Sequence, residues 1–594
     1  MSRPLRPTPR AGRAVLAALA AIVALAALTA CTGVPTSGPV RDAGPRTTVD
    51  EDPVSDVSAV PPRPGLTPSA VVLGFIDAMA ASPTRIDIAQ QYLTGDAAAA
   101  WEPEAGTITF GARQQPRDQR LEISVDLVDA ERFDRSGTYL GRIAPSRSTL
   151  RFDLQVEGGE FRITNPPDAL VVSRGWFNQR YRQASLYYFD PTGRIVVPEP
   201  VFVPRGDELA SNLVARLLAG PGPRLGRFVR SYLPRGLDAG LSVPVSLDGV
   251  ARVDLGGGPG VTSSVGAERL LAQLAWTLRQ EPRIRALQVT LGGEPVRGPE
   301  GQELYDVDEA DLFGPTGPDP STDLYAVRDQ ALQVRDGNEL VPVPGPLGGE
   351  RPVRSAVPDI PGVRAAGVTP DGGTLVLADL VEAGAGEPPT PTQVVLRGAD
   401  DLQPPAWDFA GRLWVVDRNG GDAVVHVVVD GRDRVVPVPG VSGRDVRSLL
   451  VSRDGTRVVA VVRGETTDEL RVGRVELDDE GLVDSVPITT PIDVQPDLAV
   501  RVDDITWTSP TTIAELTTLE ADAIYEVRSV GVDGSPDSTE LQPVPVGGPV
   551  TALAGTPVED QPTYAVTPTS FIDITDDTSF GFVGDPPTSV LYAG

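Results

Sequence analysis

The chain has 594 residues, too many for a single ordinary core, so several domains are expected. It carries 52 arginines and no lysine against 81 acidic residues, a formal net charge of −29, with one histidine (His426) and one cysteine (Cys31). That inventory excludes a Cys/His zinc site, an intramolecular disulfide, a lysine-bearing phosphate loop and Schiff-base chemistry, and so acidic a chain is a poor nucleic-acid binder. With 62 glycines and 59 prolines it reads as globular but loop-rich, which favours β-structure.

The first thirty residues form an export signal. Arg3, Arg6, Arg10 and Arg13 precede an alanine- and leucine-rich run from Ala14 to Ala27, and small residues follow. The run is too short and alanine-dominated for a retained membrane helix. Leu28-Thr29-Ala30-Cys31 resembles the bacterial lipobox, in which the cysteine receives a thioether-linked diacylglycerol and an amide-linked acyl chain. Multiple acyl chains anchor stably where one would be marginal. The bland alternative is a secreted protein with a stray thiol. Residues 31–64, rich in Pro, Ser, Thr, Gly and Asp, read as a disordered tether spanning on the order of 30 Å.

Residues 65–193 are expected to form an α+β unit. Thr67-Pro68 is a helix start, with Val72, Phe75, Ile76 and Met79 at helical spacing. A second short helix carries Ile88, Ala89, Tyr92 and Leu93. Period-two segments follow, among them Leu121–Leu127, Thr149–Val156 and Arg182–Asp190. Helices followed by an antiparallel sheet resemble the cone-shaped domains related to nuclear transport factor 2, which implies a packed interior or a ligand-holding cone.

Residues 198–313 are expected to form a second α+β unit. A helix from Glu208 to Leu218 stops at Gly220-Pro221, and Pro234-Arg235-Gly236 makes a turn. The strand Val250–Leu255 carries Asp254, and the helix Glu268–Gln280 carries Trp276. The strand Ala286–Leu291 runs into Gly292-Gly293-Glu294-Pro295-Val296. This order of pieces resembles the GerMN domain of sporulation and germination proteins. The resemblance implies structural roles for Gly220, Pro221, Pro234, Gly236, Asp254, Trp276 and Gly293, and no catalytic residue.

From residue 322 to 594 short β-runs alternate with Asp/Gly/Pro turns. Taking Leu375, Leu413, Val458 and Ile513 as equivalent, the repeats step by 38, 45 and 55 residues. Such periods predict a β-propeller of about six blades, with a β-sandwich of long hairpins as the rival.

Lipobox, tether, α+β unit, GerMN unit and propeller, in that order, resemble the LpqB-type lipoproteins of actinobacteria over essentially the whole chain. The resemblance implies a membrane-anchored, extracytoplasmic, non-enzymatic accessory protein. Its implied partner is the sensor histidine kinase of an MtrAB-type two-component system acting on cell envelope and division; no cofactor, metal or nucleic acid is implied.

Two other functions stay open at this point. One is an envelope-polymer binder with Trp407, Trp414 or Trp507 stacking on sugars, although strand tryptophans ordinarily pack in cores. Paired carboxylates such as Asp503-Asp504, Asp576-Asp577 and Asp478-Asp479-Glu480 suit a hydrolase or a weak calcium site, and more simply solvated turns. His426, in an apolar strand, reads as a packed, hydrogen-bonded group; a base needs a positioned nucleophile, and no Gly-x-Ser-x-Gly elbow supplies one. Gly256–Gly260 reads as a flexible loop.

Overall fold

The computed structural model describes residues 59–81, 86–240, 242–257, 263–381, 391–493, 501–520, 524–535, 543–582 and 585–594. The signal segment, the lipobox and the tether up to residue 58 lie outside the described residues, as do residues 258–260 of the glycine-rich loop.

In the first unit, Thr67 caps the helix Pro68–Met79, its Oγ1 accepting from the Ala70 amide. That helix buries Val71, Val72, Phe75, Ile76 and Met79 against Ile123, Val125, Phe152 and Ile163 of the neighbouring sheet. Ala59 packs on the same core and the Tyr92 hydroxyl donates to Val60 O, so the last stretch assigned to the tether is part of this unit. Leu121, expected on the buried face, is exposed just before the strand Glu122–Val128.

A two-stranded ribbon, Tyr181–Phe189 paired with Val196–Pro204, joins all three parts of the molecule. Asp190 closes its turn by accepting from the amides of Thr192, Arg194 and Ile195. At its open end, Tyr181 and Phe202 sit with Phe133, Phe177 and Trp176 of the first unit. Gly137 meets the ribbon here at φ +79°, where a Cβ would lie 2.1 Å from the Phe202 carbonyl oxygen. Only glycine fits that approach. Further along, Leu186, Tyr188, Val197, Val201 and Val203 enter the core of the second unit. The strand read as part of the first unit is therefore shared between two cores.

The second unit is built on a parallel pair, Val250–Gly256 beside Ala286–Leu291, linked through the helix Ser264–Leu278. Leu270, Leu271, Leu274 and Leu278 line its buried face with Leu213 and Leu217 from the helix Leu209–Leu218.

The C-terminal region is a propeller with six four-stranded blades among the described residues. The inner strands are Ser589–Tyr592, Ser355–Pro358, Ala406–Trp407, Val446–Val451, Val502–Ser509 and Ala552–Ala554, for blades 1 to 6. The last strand, Ser589–Tyr592, completes blade 1 by pairing with Leu324–Arg328, which ties the end of the region to its beginning. Blade 4 carries an extra hairpin, Glu476–Leu477 with Val483–Ser485.

The blades are in place, but the repeat alignment behind them needs one correction. Leu413, Val458 and Ile513 face Trp407, Val451 and Trp507 across the first hairpin of blades 3, 4 and 5. Leu375 is on the third strand of blade 2; the equivalent residue is Ala365, opposite Pro358. The first and second hairpins of blade 2 both turn through Asp and Gly, Asp359–Arg364 and Thr369–Thr374, so turn chemistry alone does not distinguish them.

Candidate functional site

The seven motif residues of the second unit hold the backbone in place. Gly220, Gly236 and Gly293 have φ of +77°, +78° and +85°, the left-handed region that favours glycine. Pro221 follows the first of these, and Pro234 opens the turn through Gly236. Asp254 Oδ1 accepts from Thr290 Oγ1 at 2.7 Å, tying the two parallel strands. Trp276 donates through Nε1 to Ala310 O at 2.8 Å, with the Arg279 guanidinium 4.3 Å over its ring.

The propeller has two unlike faces. The face formed by the first and third turns of the blades carries the ribbon. Gln183 reaches Ser535 of blade 5, Glu199 reaches Arg457 and Arg474 of blade 4, and Arg194 lies over the ring of Phe409 in blade 3. Glu199 is the centre of this contact. Its carboxylate takes Arg474 in a bidentate pair at 2.7 and 2.6 Å and Arg457 at 2.8 Å. Arg457 is wholly buried, also donates to Pro198 O, and faces Asp454 at 3.5 Å. Burial alone would raise the Glu199 pKa, but the two guanidiniums outweigh it and hold it below the usual carboxylate range.

The opposite face, formed by the second turns and the inter-blade connections, has none of these ribbon contacts. Arginine and carboxylate groups link neighbouring blades there. Asp401 accepts from Arg354 at 2.5 Å and Arg418 at 2.8 Å; these bonds overcome burial and lower its pKa. Arg447 donates to Asp503 O, and Arg501 and Arg463 converge on Asp468.

At the inner edge beneath this face lies a polar layer that the sequence reading missed. Ser355, Ser448 and Ser589 occupy one register position on the inner strands, three residues before Pro358, Val451 and Tyr592, which pair with Ala365, Val458 and Leu324 of the second strands. Asp504 holds that position in blade 5. All three serine Oγ atoms are buried without a hydrogen-bond partner among the described residues. Asp504 accepts from the Leu553 amide of the next blade at 2.8 Å, and burial pushes its pKa up to about 6. On the neighbouring strand Glu515 is buried with Oε2 unpartnered among the described residues, and its pKa rises to about 7. Strand register brings these positions together: the misplaced first repeat hid Ser355, and Ser589, on the strand that closes the propeller, lies outside the four aligned repeats.

The other candidate residues have ordinary structural places. Trp407 and Trp507 are buried and donate to Val357 O and Val451 O of the preceding blade, while Trp414 donates to Asp408. They are staples between and within blades, and their rings are unavailable for sugar stacking. His426 is less enclosed than expected: its Nδ1 contacts Asp433 at 2.9 Å near the outer edge of blade 3. Asp478 and Asp576 cap their own turns. Among the described residues no group of three His, Cys, Asp or Glu side chains is arranged to hold a metal ion.

Three family matches follow this architecture. Residues 61–178 match the Lipoprotein LpqB N-terminal domain, residues 185–297 the sporulation and spore germination domain, and residues 330–567 the Lipoprotein LpqB beta-propeller domain. Lipoprotein LpqB of Streptomyces coelicolor is 29% identical over 574 residues, covering 90% of this chain and 91% of the relative. Lipoprotein LpqB of Mycobacterium bovis (strain BCG) is 27% identical over 573 residues, covering 89% and 90%. Among solved structures, the first GerMN domain of GerM from Bacillus subtilis is 20% identical, with a TM-score of 0.18, covering 21% of this chain and 97% of that one. The two LpqB-specific domains flanking the germination-type domain, together with relatives aligned over most of both lengths, show that the chain belongs to the Lipoprotein LpqB family.

Proposed function

We propose that this protein is a lipid-anchored, extracytoplasmic, non-catalytic accessory protein that modulates a membrane sensor histidine kinase of the MtrAB type. The anchor is Cys31, modified within Leu28-Thr29-Ala30-Cys31. The observation that carries the reading is the division of labour between the propeller faces. One is occupied by the chain's own ribbon, and the other presents Arg354, Arg418, Arg447 and Asp401 away from it. Confinement of both proteins to one membrane surface raises their effective concentration, so a weak contact suffices for regulation.

Photo-crosslinkers placed at Arg418 and Arg447, in intact membranes, test this. Recovery of a sensor kinase above a tether-only control is expected; recovery of none overturns the assignment. Independently, Cys31→Ser is expected to remove the protein from the membrane fraction and abolish lipid labelling. An unchanged membrane fraction overturns the anchor.

A further inference from the structure

A cleft of about 440 Å³ lies where the first unit, the ribbon and the helix Leu209–Leu218 meet. It is distinct from the first unit's main core, which is centred on Phe75 and Phe152. Its apolar side is Phe133, Phe177 and Leu170, with Tyr181 beside them. Phe177 is stacked between Phe133, at 4.6 Å, and Tyr181, at 4.5 Å and 10°. These rings are locked by packing, so this wall is formed before any ligand arrives.

The helix side is polar. Asn212 and Arg216, one turn apart, both line the cleft. Arg216 Nη1 donates to Arg135 O at 3.2 Å, while Nε is buried with no acceptor among the described residues. Burial is the main influence on this guanidinium and pulls its pKa down, against the opposing pull of Tyr181 and Asp134. The cation is thus incompletely compensated. Of the two acids in the lining, Asp134 spends Oδ1 on its own turn, accepting from Ser136 N, Ser136 Oγ and Thr138 N. Glu104 is exposed at the rim. A guanidinium that lines the cleft, bonds only to a backbone carbonyl and has no carboxylate in ion-pair range among the described residues, beside a rigid aromatic wall, is suited to a carboxylate on an apolar body.

We propose that this cleft binds an aryl or acyl carboxylate, with Arg216 as its counter-ion, Asn212 as a second polar contact and the Phe133–Phe177–Tyr181 stack against its apolar part. The site joins the first unit to the helix of the second, so an occupant would touch both. This goes beyond the kinase-accessory reading and does not depend on it.

The test is photolabelling of the full-length lipidated chain in phosphatidylcholine vesicles with 4-benzoylbenzoate, set against its neutral isostere 4-benzoylbenzamide. Labelled peptides are mapped by mass spectrometry. Saturable carboxylate labelling confined to the segments around Phe133, Leu170 and Phe177–Tyr181 is expected, with labelling by the amide at least about tenfold weaker. Arg216→Gln is expected to reduce carboxylate labelling to the amide's level. Arg216→Lys should retain part of it, and Arg434→Gln, in a separate cleft on the propeller, should leave it unchanged. Melting curves establish that each variant is folded. Equal labelling by acid and amide, labelling indifferent to Arg216→Gln in a folded protein, labelling only elsewhere, or none at all would each overturn the proposal.

Discussion

The two faces of the propeller use the same chemistry for different ends. On the ribbon face, Glu199, Arg457 and Arg474 are shielded from water; on the opposite face, Asp401, Arg354 and Arg418 are partly exposed. An exposed pair contributes little because solvent and salt screen it. A buried pair need not add net stability over an apolar contact, but removing one partner leaves an unpaired charge in a poor solvent. Burial therefore makes one cluster a structural joint, while exposure leaves the other able to exchange partners.

The largest expected effect tests that joint directly. Glu199→Ala leaves Arg457 and Arg474 facing each other without their shared carboxylate, and should cost about 3–5 kcal/mol. Calorimetry should then show the propeller melting apart from the N-terminal units, and limited proteolysis should open the ribbon. A single unchanged transition would mean that the apolar contacts alone hold the face.

The next effect concerns pH. Glu515 is raised by burial from 4.5 to about 7, so the folded protein holds its proton while the unfolded chain releases it. Stability is unaffected below the unfolded pKa, falls as pH rises between about 4.5 and about 7, and stays lower above that by about 3 kcal/mol. Glu515→Gln should stabilise the protein at pH 8, leave it nearly unchanged at pH 4, and flatten the melting temperature against pH. Asp504, raised to about 6, acts in the same direction over a narrower window.

Smaller still is the loss of one inter-blade staple. Trp507→Phe removes the bond to Val451 O while keeping most of the ring's packing, and should cost about 1–3 kcal/mol in urea unfolding because that carbonyl is left buried. The smallest change belongs to the open face. Arg418→Gln should shift stability by no more than about 1 kcal/mol, and less in high salt. A larger, salt-insensitive loss would erase the contrast between the faces.

Much of this architecture was legible along the chain because it rests on local rules. Thr67-Pro68 started a helix, the leucine stripe of Glu268–Gln280 marked the buried side of Ser264–Leu278, and Asp/Gly turns announced the blades. The ribbon was harder to read. Alternation identified Tyr181–Phe189 as a strand, but nothing local tells which of three neighbours a strand will serve. The polar layer of Ser355, Ser448, Ser589 and Asp504 was hidden for a related reason. Its members are scattered over more than two hundred residues and become equivalent only through strand register.

By itself, then, the sequence determined the inventory and the order of parts: one cysteine in a lipobox-like run, one histidine, no lysine, two α+β units and a propeller. Those follow from composition, hydrophobic period and turn residues, which act over a few positions at a time. Tertiary structure alone decided that Glu199 meets Arg457 and Arg474, that the tryptophans face inward, and that Arg216 borders an aromatic cleft. Desolvation and pairing depend on what the fold places beside a charge, and those neighbours are distant in the chain.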